Sequence, residues 1–225
     1  MVSSLIEKFQ NEISKVLEAN SGPLLVVIAG HNGAGKTTCY EQVLKPSLDD
    51  VGLEYINADN IEREIRTAYC DEEIECSPQE FSELARIEAD QQREIAIKSR
   101  RDFCFETVAS HISKVILMEQ AISLGYTVIL FFIGLDSPDK SYERVQLRVA
   151  NGGHDVPYEK IIQRYPRVIE NMKLAMKVAT VAIAIDNSQE GSVGSPEYIP
   201  SAIFKGGILI ERINDSPKWM DPILI

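Results

Sequence analysis

The chain of 225 residues is short of positive charge: 23 lysines and arginines stand against 34 aspartates and glutamates, a formal net charge of −11. A protein that grips nucleic acid or an anionic membrane carries a basic face, so neither is expected as a partner. Long apolar runs are also missing. The longest are strand-sized, well under the roughly 20 residues of a membrane helix. The opening MVSSLIEKFQNEISKVLEAN does not read as a signal peptide, because its apolar residues recur at helical spacing with charges between them. Cysteine is scarce. Cys39, Cys70, Cys76 and Cys104 lack the spacing of a metal site or a disulfide framework. Together these deficits favour a reducing cytoplasm. Internal repeats and low-complexity tracts are absent.

What remains is an ordinary globular composition, 44% hydrophobic and 25% charged, long enough for one α/β domain with a sizeable core. Residues 3–20 read as an amphipathic helix, with Leu5, Ile6, Phe9, Ile13, Val16 and Leu17 on one face. A strand is expected over 24–29, a helix over 35–44, a strand over 53–57 and a short helix after it. The acidic CDEEIECSP follows as a loop. Then come a charged helix over 78–101, a strand over 102–106, a helix over 112–124 ended by Gly125, and the apolar strand TVILFFIGL. Helices over 137–150 and 157–177 flank NGGHDVP, and the strand TVAIAIDNS follows. The last segments are a loop over 189–200 and a hairpin turning at Gly206–Gly207. Apolar strands alternating with helices predict a mainly parallel sheet between helical layers.

Gly30-His31-Asn32-Gly33-Ala34-Gly35-Lys36-Thr37 matches G-x4-G-K-[ST] in full, between a predicted strand and a predicted helix. Glycines permit turns that a Cβ would block. The backbone N–H groups then enclose phosphate oxygens, and the helix N-terminus adds positive potential. The stretch from Gly30 to Thr38 is therefore the candidate ATP site. Lys36 reaches the β- and γ-phosphates, and Thr37 offers its hydroxyl to Mg²⁺. Chance produces such a match in a chain this long about 1% of the time.

A guanine-selecting N-K-x-D and an L-S-G-G-Q signature are both missing, which leaves a small kinase-like domain. Such an enzyme needs a carboxylate near the acceptor hydroxyl, a carboxylate near the metal, and arginines over the transferring phosphoryl group. Asp59 follows the second strand and Glu106 ends the third, where ligands of open α/β sheets sit. The bland alternatives are an N-cap for Asp59 and a polar strand end for Glu106–Thr107. Arg144 and Arg148 share a helix face, and Arg164 lies beyond the glycine-rich break. The segment near 144–165 thus reads as a lid, or as a solvated surface with weak ion pairs. His154 in that break reads as a loop-pinning group more than a ligand. Asp186-Asn187-Ser188 suits either an adenine pocket or a turn.

The stretches AGHNGAGKTT, NADNI, FCFETVAS, GYTVILFFIGLDSPDKSYERVQLRVANGGHDVP, IIQRYPRVIEN and AIDNS occur in this order. They resemble the zeta-toxin-like P-loop kinases, in particular their compact bacterial branch, over about residues 23–188. The resemblance implies a three-layer α/β/α P-loop NTPase of the nucleotide-kinase type, with a helical lid and a C-terminal hairpin. It implies ATP and Mg²⁺ as cofactors, and transfer of the γ-phosphoryl group to a hydroxyl of a small-molecule acceptor. UDP-N-acetylglucosamine is the family's best-known acceptor, and a protein antitoxin is an implied partner. By position, Lys36 and Thr37 would serve ATP and Mg²⁺, and Asp59 would be the general base. Glu106 and Thr107 would orient the acceptor, with Glu106 also a candidate beside the metal. Arg144, Arg148 and Arg164 come from the region of the family's phosphate-clamping arginines. His31 stands where that branch commonly has proline. The acidic insert near 71–77 and the tail have no clear counterpart.

The expected layout is an N-terminal helix over 1–22 packed on the core, the kinase domain over 23–188, and an extension over 189–225. The competing reading is a non-catalytic ATP-binding module whose lid is read by a protein partner, with Trp219 on a docking surface.

Overall fold

The computed structural model describes residues 14–16, 18–19, 22–48, 51–71, 76–189, 198–213 and 217–224. Its frame is a sheet of seven strands: β1 (Leu24–Gly30), β2 (Glu54–Ile56), β3 (Phe103–Thr107), β4 (Thr127–Gly134), β5 (Val181–Asp186), β6 (Ile199–Lys205) and β7 (Ile208–Arg212). The spatial order is β2-β3-β1-β4-β5-β6-β7. The first five strands in that row are parallel, and β6 and β7 join antiparallel. Every residue of β1, β4 and β5 is buried, as their unbroken apolar runs require of parallel strands covered on both faces.

Alternation sorts the side chains into two cores. Leu25, Val27, Phe103, Phe105, Leu130 and Phe132 face one layer of helices. Val26, Ile28, Cys104, Ile129, Phe131 and Ile133 face Cys39, Tyr40, Leu44 and Leu48 on the other side. Helix α1 covers that second face over 36–48, with a π-helical stretch at Tyr40–Leu44. The first face is covered by α2 (Ala58–Asp71), α3 (Pro78–Lys98), α4 (Ser113–Ser123) and α6 (Tyr158–Val178). Helix α5 (Pro138–Ala150) precedes α6.

Local chemistry explains where the helices start and stop. Ser77 and Glu80 form a reciprocal capping box ahead of α3, with Pro78 in the first turn. Ser137 caps α5 one way, its hydroxyl accepting from the Lys140 N–H at 3.2 Å, with Pro138 in the first turn. Gly125, at φ +80°, follows α4, and its N–H donates to the Ile122 carbonyl. Gly206 and Gly207 take positive φ in the β6–β7 turn, as the hairpin reading requires.

Two expectations need correction. The helix after β2 is not short: it runs to Asp71, into the stretch read as an acidic loop, and packs Ile61 and Ile65 into the core. Trp219 is no docking residue. It is 6% exposed, meets Phe132 edge-on at 5.3 Å, and donates its indole N–H to Asp186 at 2.8 Å. Most of the expected helix over 3–20, most of the 71–77 insert and much of the 189–200 loop lie outside the described residues. Residues 14–16 are helical, and Val16 packs against the second core.

Candidate functional site

Register decides which side chains meet. In the β1–β3 pairing, Ile28 lies beside Glu106 and Ala29 beside Thr107, so the end of β3 stands next to the start of the glycine loop. β4 flanks β1 on its other side, and the loop leaves the sheet between two diverging connections, where ligands of open α/β sheets bind.

The loop is fixed by its own carbonyls. Ser141 Oγ donates to the Asn32 carbonyl at 2.6 Å, Asn187 Nδ2 to Ala34 at 2.9 Å, and the Tyr198 hydroxyl to Gly35 at 2.7 Å. Lys36 Nζ donates to the carbonyls of Gly30 and His31 at 3.2 and 2.9 Å. Two glycines are obligatory here. A Cβ on Gly30 would lie 2.3 Å from the Ile133 carbonyl oxygen. Gly35, at φ +81°, would bring its Cβ to 2.8 Å from the Tyr198 hydroxyl.

From Thr37 a hydrogen-bonded chain runs to Asp59. Thr37 Oγ1 donates to Glu106 Oε2 at 2.9 Å, and the Tyr55 hydroxyl donates to Glu106 Oε1. Asn57 Nδ2 donates to the Tyr55 oxygen at 2.8 Å, and Asn57 Oδ1 accepts from the Asp59 N–H at 2.8 Å. Tyr55 also stacks on Tyr40 of α1, ring centroids 3.9 Å apart. Asn57 therefore supplies the side-chain bond to the start of α2, the role weighed for Asp59. Burial raises the Glu106 pKa, and the Tyr55 hydrogen bond, Lys36 and Thr37 offset part of that rise. The Lys36 pKa is lowered by burial, against the opposing pull of Glu106 and Asp59.

Lys36, Asp59, Glu106, Thr107 and Arg148 line one cleft of about 990 Å³. Arg148 reaches it from α5 while its Nη2 donates to the His154 carbonyl at 2.6 Å. His154 Nδ1 lies 3.8 Å from the buried Glu62 of α2, so the loop after α5 spans the cleft mouth. Arg144 packs beside Gly33 and donates to the Gln189 carbonyl at 3.4 Å, on the loop side. Arg164 is half-buried and does not line the cleft, so the expected arginine trio does not converge there.

His31 turns its ring away from the loop's open face. It is 2% exposed and stacks on Tyr165 at 4.2 Å, and its pKa is lowered to about 3 by burial and by Lys36. Only its backbone remains for a phosphate. The side chains of Asp186, Asn187 and Ser188 are also committed internally, to Trp219, the Ala34 carbonyl and Asp186 respectively. Tyr55, Asn57, Ser141 and Tyr198 escape sequence reasoning. The only signal was polar residues at strand ends, which Tyr55 and Asn57 share with many structural positions.

The donor set suits ATP and Mg²⁺. A hydroxyl and a carboxylate within hydrogen-bonding distance are the hard oxygen ligands that Mg²⁺ takes beside phosphates. The tied-back carbonyls leave the loop's N–H groups as its polar face. Among the described residues, no cluster of three or more His, Cys, Asp or Glu offers another metal site, and no helix is long and apolar enough to cross a membrane.

Solved structures share this fold. The AvrRxo1-ORF1:AvrRxo1-ORF2 structure with sulphate ions superposes with a TM-score of 0.68 at 17% identity, over 96% of this chain and 72% of that one. The AvrRxo1-ORF1:-ORF2 structure with ATP gives 0.67 at 19% identity, over 96% and 71%. A structure from the PezAT chromosomal toxin-antitoxin system of Streptococcus pneumoniae gives 0.52 at 14% identity, over 85% and 80%. No curated protein sequence matches. The chain has the P-loop NTPase fold, and the family model described as Zeta toxin matches residues 10–193. The chain belongs to the zeta toxin family.

Proposed function

We propose that the protein is an ATP- and Mg²⁺-dependent kinase that transfers the γ-phosphoryl group to a hydroxyl of a small molecule, a nucleotide sugar such as UDP-N-acetylglucosamine being the acceptor class the family suggests. The observation that carries this reading is the convergence of Lys36, Asp59, Glu106, Thr107 and Arg148 on one cleft beside a carbonyl-clamped glycine loop.

In this reading the amides from Gly30 to Thr38 and the Lys36 ammonium hold the polyphosphate of ATP. Thr37 and Glu106 hold Mg²⁺, which when bound neutralises phosphate charge. Nucleotide binding would draw Lys36 off the Gly30 and His31 carbonyls. Asp59 takes the proton of the acceptor hydroxyl as that oxygen forms its bond to phosphorus and the bond from phosphorus to the ADP oxygen breaks. Arg148 and Lys36 balance charge on the transferring oxygens, and Thr107 orients the acceptor. Arg144 steadies the loop from its outer side. Arg164 sits on the core-packed α6 beside Tyr165 and does not reach the cleft in this arrangement. A protein partner that occludes the ATP site is proposed by analogy with the paired chains of the neighbours, one of them from a toxin-antitoxin system.

The test is phosphoryl transfer from γ-labelled ATP to a panel of nucleotide sugars and nucleosides. Labelled product should form with the natural chain. Lys36→Ala should lose at least about 100-fold in rate while keeping its fold, the scale of removing a preorganised charge from a transition state. Equal turnover in the two proteins would remove this mechanism.

A further inference from the structure

The loop that follows α5 is built around one arginine. Gly152, at φ +84°, turns the chain, and its N–H donates to the Val149 carbonyl at 2.9 Å. The Gly153 N–H donates to the Arg148 carbonyl at 2.9 Å, and a Cβ on Gly153 would lie 2.5 Å from Arg148 Cγ. Glycine therefore lets the loop lie directly on the arginine stem. Arg148 Nη2 then donates to the His154 carbonyl at 2.6 Å. Its Nε is buried and, among the described residues, has no hydrogen-bond partner. Such an orphan donor on a charged group is costly unless a ligand oxygen meets it. Burial lowers the Lys36 pKa and Arg148 adds to that lowering, so the two cations share one space.

The ring of His154 reaches the other way, across the cleft mouth to α2. Its Nδ1 lies 3.8 Å from Glu62 Oε1, an ion-pair distance once the ring is protonated. Glu62 is a fixed anchor. It is buried, its Oε1 accepts from Arg66 Nε and Nη2 at 3.0 and 2.7 Å, and its Oε2 accepts from the Ser82 hydroxyl of α3 at 2.8 Å. Burial opposes its charge, but these hydrogen bonds and the nearby His154 outweigh it and hold the Glu62 pKa below its ordinary value. Glu62 stands three residues after Asp59, about one turn further along the same helix. One residue thus grips Arg148 through its backbone and faces the helix of Asp59 through its side chain. The other charged groups on the elements around the ring are Asp59 and Arg66 on α2, Arg86 on α3, Arg148 on α5, and Asp155, which accepts from Gln146 at 3.1 Å.

We propose that His154 is a positioning residue: its protonated ring pairs with Glu62 and so holds Arg148 at the transferring phosphoryl group. The proposal rests on the kinase reading of the cleft. The neutral ring loses the attraction of Glu62, and the glycine turn alone then holds Arg148. The positioning is strongest in mild acid, where imidazole carries its second proton, and fades towards pH 8.

The experiment is calorimetric titration of the full chain with the ATP analogue Mg-AMPPNP and, separately, with Mg-ADP. Arg148 meets oxygens that only the triphosphate analogue has, so the ratio of the two affinities reads its position. In His154→Gln the AMPPNP affinity at pH 6 should fall about three- to fivefold while the ADP affinity holds. The His154 side chain is half-exposed, so this variant keeps its fold. Arg148→Met should lose at least about tenfold for AMPPNP, and adding His154→Gln to it should remove nothing further. From pH 6 to pH 8 the natural chain should lose about three- to fivefold of its preference for AMPPNP beyond any change in His154→Gln. Unchanged AMPPNP affinity in His154→Gln, equal losses for the two nucleotides, or additive losses in the double variant would each overturn the positioning role. The same pH response in the natural chain and in His154→Gln would overturn its dependence on the imidazole charge. Failure of the underlying kinase reading shows separately, as no binding heat with either nucleotide in the natural chain.

Discussion

The two halves of the cleft, a donor half and an acceptor half in the function proposed above, are built on different principles. The donor half is a short run of backbone whose carbonyls at Asn32, Ala34 and Gly35 are tied to Ser141, Asn187 and Tyr198. Little in it depends on a side chain of the loop itself except Lys36 and Thr37. The acceptor half is all side chains, drawn from α2, α3, α4 and the loop after α5. Its shape rests on contacts between these elements, such as the Asp90–Lys114 ion pair and the approach of the His154 ring in the loop after α5 to Glu62. A backbone cradle fits one chemical group in every protein that has it. A wall of side chains can be rebuilt for a new acceptor without moving the loop, which is why fold and donor site do not dictate the acceptor.

The sharpest way to break this comparison is to disable one half alone. Asp59→Asn keeps the side-chain size and the Asn57 bond to its backbone N–H. It should cut the transfer rate by about 10²–10⁴-fold while the stabilisation by Mg-AMPPNP stays unchanged. Steady-state rates and melting curves on one preparation check both halves, and a normal rate would demote Asp59 to a surface carboxylate.

Next comes the joint between the halves. Tyr55→Phe removes the hydroxyl that donates to Glu106, so the carboxylate loses a bond that favours its ionised form. Burial already raises the Glu106 pKa, and this loss raises it further. If activity needs the ionised group, the acid limb of the rate–pH profile must move to higher pH. The rate at neutral pH should fall about tenfold, the cost of one hydrogen bond to a charged group. An unmoved acid limb would separate Glu106 from the rate.

The last effect is confined to the donor half and to stability, and is absent at neutral pH. His31 is buried neutral, with a folded pKa of about 3 against 6.5 for the free group. The unfolded chain gains a proton there below pH 6.5 and the folded one does not, so stability should fall from pH 6.5 down to about 3 and no further on this account. His31→Phe preserves a ring against Tyr165 and should flatten that decline in denaturant melts taken across the range. An identical slope in the variant would assign acid sensitivity to the carboxylates.

The same contrast accounts for what the sequence made legible. The glycine loop was readable because phosphate chemistry demands a contiguous pattern, and the strands because burial on both faces demands unbroken apolar runs. Asp59 and Glu106 were readable as strand-end carboxylates. Tyr55 and Asn57 were not, because a tyrosine and an asparagine near a strand end carry no signal until β2 is set beside β3. Arg93, Asp90 and Lys114 were hidden for a related reason. On a helix as charged as α3, Asp90 and Arg93 look like solvated residues, as does Lys114 at the start of α4, and only the packing of the two helices brings them together. Trp219 misled because a lone tryptophan in a tail suggests a contact surface, whereas Gly134 leaves room for its indole inside the core.

The most direct measurement is calorimetric titration of Mg-AMPPNP into the purified chain and into Lys36→Ala. The account predicts one saturable site in the natural protein and affinity at least about tenfold weaker in the variant, the loss of one charge-assisted contact to phosphate. Absence of any binding heat with the natural protein at millimolar nucleotide would contradict it.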